Sequence, residues 1–173
     1  MILAAALALS GCWPKIVEQA RDESIRNVAQ ATSDAVECFA EVRIAKGEDL
    51  EALARSNGLC GNWTALGATD EEILGWKWDD INTAWLIQID QSTDTPIIEV
   101  LAIGQGRANS WTQWETHRLI VCWQVALDPS GGKPHVTALE CPEPWLTSWG
   151  KAEVMTLEEL KTAADELGIA LQT

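Results

Sequence analysis

The chain has 173 residues, 47% hydrophobic and 22% charged, a composition that excludes a disordered protein and, with the length, points to one globular domain. Its 26 acidic and 12 basic residues give a net charge of −14. That balance excludes nucleic-acid binding, which needs clustered Lys and Arg, and it argues against docking on anionic lipid headgroups by charge.

Residues 2–9 form an apolar run that ends in Leu9-Ser10-Gly11-Cys12. The run is too short to span a bilayer, which takes about 20 apolar residues. The tetrapeptide resembles the lipobox of bacterial lipoproteins. The resemblance covers this signal only. It implies that residues 1–11 are a signal peptide and that cleavage precedes Cys12. Cys12 would then be the lipidation site, carrying a diacylglycerol by thioether and an amide-linked chain such as palmitate. Residues 12–173 would form a single extracytoplasmic domain held at the cell membrane by its lipid, with membrane contact made by the acyl chains. No Lys or Arg precedes Lys15, so the basic start of such a signal is missing, and a start codon upstream of Met1 is expected.

Pro14 suits a first helical turn. Residues 15–46 contain no Gly or Pro, and Val17, Ala20, Ser24, Val28, Ala31, Ala35, Cys38 or Phe39, and Val42 recur at three- and four-residue steps. This spacing predicts a long amphipathic helix. Residues 48–56 read as a short second helix, with Leu50 and Leu53 inward and Gly58 as its stop. Strands are expected at 83–89, 97–104, 111–127 and 135–140, joined by short turns as an antiparallel meander. The two glycines of Gly104-Gln105-Gly106 read as a bulge or tight turn. Residues 142–155, rich in Pro and Trp, read as a linker. Thr156-Leu157-Glu158-Glu159 is a capping box opening a C-terminal helix that Gly168 closes. The fold class is α+β, with the helices on one face of the sheet.

Of five cysteines, lipidation of Cys12 leaves four. A hairpin centred near residues 131 and 132 sets Cys122 opposite Cys141, within disulfide reach, and leaves Cys38 to pair with Cys60. The same register sets His117 opposite residue 146 and His135 opposite residue 128, so the histidines form no pair.

Ten Trp accompany one Phe and no Tyr. The plain reading is that Trp replaces the other aromatics as core filler. The functional reading is a surface that stacks sugar rings, for which Trp76, Trp78, Trp145 and Trp149, in polar, loop-like contexts, are the candidates. Asp70-Glu71-Glu72 and Asp79-Asp80 offer paired carboxylates for a cation or a glycosidase, although an acidic solvated loop is simpler, and Asp70 suits the cap of a helix DEEILG. No GxSxG, HExxH or phosphate-loop motif occurs, and no metal, cofactor or catalytic residue is implied. The expected function is a membrane-tethered lipoprotein acting as a non-enzymatic interaction or envelope-structural module. Its partner would be an envelope protein or a glycan. The alternatives are a carbohydrate-binding module using exposed Trp and a hydrolase using the acids near 70–80.

Overall fold

The small apolar stripe yields a helix of 29 residues, α1 (Trp13–Glu41), about 43 Å long at 1.5 Å per residue. Its buried face runs Ile16, Ala20, Ser24, Val28, Ala31, Ala35 and Phe39, flanked by Ile25, Ala29, Thr32 and Val36. Ile16 therefore takes the inward place assigned to Val17, and Phe39 rather than Cys38 is buried. The helix ends at Glu41, short of residue 46, where the Arg43 guanidinium donates to the carbonyl of Ala40 in the last turn at 3.1 Å and to that of Val42 just beyond it at 3.0 Å. The computed structural model describes residues 13–45, 47–57, 59–76, 82–128 and 132–173. Residues 1–11, expected to be a signal peptide, and Cys12, Gly58, Trp78, Asp79 and Asp80 lie outside the described residues.

Helix α2 (Leu50–Asn57) buries Leu50 and Ala54. Helix α3 (Asp70–Gly75) is capped by Thr69, not by Asp70: the Thr69 hydroxyl accepts from the Glu72 amide, and the Glu72 carboxylate accepts from the Thr69 amide. Four strands follow, β1 (Thr83–Asp90), β2 (Ile97–Ser110), β3 (Gln113–Ala126) and β4 (His135–Ala138), paired antiparallel in chain order. The segment read as a linker is instead structured. Cys141-Pro142-Glu143-Pro144 opens helix α4 (Glu143–Trp149), with Pro142 as its N-cap, and strand β5 (Glu153–Met155) adds to β3 in parallel. Prolines that suggested a linker thus serve at a helix start, where a missing N–H is harmless. Helix α5 (Leu157–Glu166) begins on the expected Thr156–Glu159 capping box, and Gly168, at φ +71°, follows its end.

Strands β2 and β3 pair without a break from Ile97 opposite Ala126 to Ser110 opposite Gln113, closing through Trp111 and Thr112. The Gly104-Gln105-Gly106 segment is therefore neither bulge nor turn. Both glycines lie beneath α1. A Cβ on Gly104 would stand 2.5 Å from the Ser24 carbonyl oxygen, and one on Gly106 would stand 2.5 Å from the Ser24 amide nitrogen and collide with the Ala20 carbonyl. The glycines and the small helix residues together let α1 lie directly on the sheet.

The sheet is covered on both faces, not one. Helices α1, α2 and α5 pack on Ala84, Leu86, Ile98, Val100, Ala102, Leu119, Val121, Trp123 and Val125, with Phe39 edge-on to Trp123 at 6.2 Å. Helices α3 and α4 pack on Trp85, Leu101, Ile103, Ile120 and Cys122 through Ile73, Trp145 and Trp149. Both expected cysteine pairs are at bonding distance, Cys38–Cys60 with Cα atoms 5.4 Å apart and Cys122–Cys141 at 5.1 Å. The β3–β4 register differs by two residues from the expected one. Ala138 faces Trp123, His135 faces Ala126, and the Leu139 amide donates to the Cys122 carbonyl at 3.2 Å. A two-residue shift keeps every side chain on its face, so Cys141, just past the strand, still reaches Cys122.

Candidate functional site

Strand β1 ends its pairing with Thr83 opposite Ile103. Beyond Ile103 the outer edge of β2 has no neighbouring strand among the described residues, and side chains satisfy its backbone. The Gln105 amide donates to Asn82 Oδ1 at 2.7 Å, the Gln105 carbonyl accepts from Asn27 Nδ2 at 2.8 Å, and the Arg107 amide donates to the Glu23 carboxylate at 2.6 Å. Satisfying an open edge in this way protects it from foreign pairing and lets a two-stranded ribbon project along α1.

Alternation along the ribbon sends Gly104, Gly106, Glu115 and His117 toward α1, and Arg107, Asn109, Trp114, Thr116 and Arg118 to the opposite face, where all five are exposed. Arg118 Nε donates to Gln105 Oε1 at 3.1 Å, which fixes both side chains. With Arg107, Trp114, Thr116, Trp149 and Lys151, these two line an open groove of about 440 Å³. Among the described residues three cations and no carboxylate line it, in a chain of net charge −14. The Trp114 indole is 79% exposed, and Trp111 at the turn is fully exposed. Neither was singled out from sequence, although the polar alternation of residues 105–118 was the available signal.

Behind the ribbon, Ser24 Oγ lies 2.8 Å from His117 Nδ1, and His117 Nε2 lies 2.9 Å from Glu153 Oε2. Arg21 completes the chain, donating from Nε and Nη2 to the two Glu153 oxygens at 3.0 and 2.9 Å. Serine, histidine and carboxylate are the members of a hydrolytic triad. Here Ser24 is 0% exposed inside α1, and its hydroxyl also lies 2.7 Å from the Arg21 carbonyl. A nucleophile sealed between helix and sheet meets no substrate. The set fastens α1 to β3 and β5.

The Arg21 guanidinium, chiefly through its hydrogen bonds, holds the Glu153 carboxyl below the usual glutamate value of 4.5, with His117 adding to the effect. A depressed carboxyl contributes stability that is present in full above its unfolded value and is lost as pH falls through the folded one. Glu153→Gln is therefore expected to lower the melting temperature at neutral pH and to lose less on acidification between roughly pH 5 and pH 3. Melting curves at stepped pH check this; parallel losses in both proteins would exclude the pair as an acid-labile contact.

The other sequence candidates are dispersed. Trp145 and Trp149 are 4% and 3% exposed in the second core, so their rings have no open face for a sugar. Trp76 is half-buried and packs at 5.8 Å on both Trp85 and Trp145. The structure thus corrects the reading of these three as an open stacking surface, because the segment that carries two of them is a packed helix. Asp70, Glu71 and Glu72 are exposed on α3, and Glu72 is occupied in the capping box. Among the described residues no group of three or more His, Cys, Asp or Glu side chains is placed to hold a metal ion. The chain matches no protein-family model, no curated protein and no solved structure.

Proposed function

We propose that this chain is a lipid-anchored extracytoplasmic domain that works as an interaction or envelope-structural module on a membrane surface. The observation that carries the reading is the pairing of all four cysteines beyond Cys12, as Cys38–Cys60 and Cys122–Cys141. Stable disulfides belong to oxidising compartments outside the cytosol. The fifth cysteine is the one in Leu9-Ser10-Gly11-Cys12, where an acyl chain would be attached. Helix α1 starts at Trp13, so the tether leads into folded structure without a linker and keeps the domain close to the bilayer. Among the described residues no helix is long and apolar enough to cross a membrane, and in this reading the acyl chains make the attachment.

In cells, Cys12→Ser is expected to move the protein from the membrane fraction to the soluble extracytoplasmic fraction or to leave its precursor unprocessed. Mass spectrometry of the wild-type protein is expected to show an acylated N-terminal cysteine. A mature protein with Met1 intact and a free thiol at position 12 overturns the reading.

A further inference from the structure

Helix α1 and strand β2 run antiparallel past one another, since Ser24 lies over Gly104 and Ala20 over Gly106. From Gly106 the strand advances about 13 Å to Ser110. From Ala20 the helix runs back about 10 Å to Trp13. The hairpin tip and the start of α1 thus share one end of the molecule. On the proposed reading of Cys12, on which this inference rests, the same end faces the lipid.

We propose that the groove face of the β2–β3 ribbon, together with its tip, docks on an anionic bilayer surface, with Trp111 and Trp114 at headgroup level and Arg107, Arg118 and Lys151 against lipid phosphates. Trp111 is fully exposed at the tip of a turn and Trp114 is 79% exposed, whereas Trp85, Trp123, Trp145 and Trp149 are buried. Indole rings, apolar with one N–H donor, concentrate at membrane interfaces. The acidic total argues against charge-driven docking of the whole molecule, but local charge governs a close contact. At physiological salt a charge is felt over about 8 Å, and among the described residues the groove is lined by Arg107 and Arg118 of the ribbon and by Lys151, with no carboxylate. Among the described residues, the carboxylates beside the ribbon lie on its α1 side: Glu115 projects from the helix-side face, and Glu23 accepts from the Arg107 amide. A soluble glycan fits less well, because Trp111 protrudes and takes no part in lining the groove.

The test uses the full chain carrying Cys12→Ser, which cannot be acylated, in co-sedimentation with vesicles of phosphatidylglycerol and phosphatidylcholine or of phosphatidylcholine alone. Binding is expected to favour the anionic vesicles. Arg107→Gln with Lys151→Gln is expected to weaken it about 25-fold, at about fivefold per cation, and Trp111→Ser with Trp114→Ser to weaken it at least tenfold. All four side chains are exposed, so melting temperatures should hold. Residues 1–11 are common to every arm, so differences between arms report the ribbon. Equal partitioning of parent and both double variants overturns the proposal. So does tight binding of a soluble uronic-acid oligosaccharide that the same variants abolish, which would give the groove to a glycan. The acylation state of Cys12, read by mass, is a separate measurement, so docking and tether fail separately.

Discussion

Gly106→Ala is expected to destabilise the protein by about 3 kcal/mol, the upper end of the usual range for overpacking. The added methyl would meet the carbonyl of Ala20 and the amide nitrogen of Ser24. Both are backbone atoms within α1, so no rotamer change relieves the contact. The ribbon and the helix must separate locally. The bonds from Asn27 to Gln105, from Glu23 to Arg107 and from Ser24 to His117 span the same crossing and would weaken together. Gly75→Ala is the matched control, because a Cβ there has nothing within 4 Å. Urea denaturation of the two variants makes the comparison. Similar midpoints would mean that α1 does not cross the sheet at Gly106.

That crossing marks where sequence reading reached and where it stopped. The helix was legible because small apolar residues recurred at helical spacing, and the strands because β-branched runs lay between turn formers. A glycine signals only the absence of a Cβ, and that absence serves a turn and a close approach equally well. Gly104 and Gly106 were read as breaks because the body pressing on them comes from eighty residues earlier in the chain. The cluster of Arg21, Ser24, His117 and Glu153 was invisible for the same reason: its members come from three elements and share no motif. Helix α4 was hidden by its prolines, and with it the burial of Trp145 and Trp149. The cysteine pairs were legible despite a shifted register, since the shift was even. Net charge is a sum, and a sum carries no information about the local gathering of Arg107, Arg118 and Lys151 around one groove.

Reduction of both disulfides is expected to bring the domain close to unfolding. The bridges close loops with sequence separations of 22 and 19 residues, each contributing about 3 kcal/mol by loop entropy. The two loops do not overlap in sequence, so the effects add to about 6 kcal/mol, against a total of about 5–15 kcal/mol for a typical domain. For a chain of this size the melting temperature should fall by roughly 10–25 °C. The bridges hold different layers. Cys60 leads into Asn62, whose backbone bonds the edge of β1 at 2.8 and 2.9 Å, so Cys38–Cys60 ties the second half of α1 to that edge. Cys141 directly precedes α4, so Cys122–Cys141 pins the second helical layer to the central strand. Their accessibility also differs: Cys38 is exposed, whereas Cys122 and Cys141 are buried. Thiol–disulfide exchange requires access to sulfur, so a mild reductant should open Cys38–Cys60 first, and Cys122–Cys141 should follow only as the domain loosens. Thiol labelling read by mass should therefore show two labels on Cys38 and Cys60 before any appear on Cys122 and Cys141. A melting temperature that stays unchanged once all four thiols are labelled would show that the bridges carry none of the stability assigned to them.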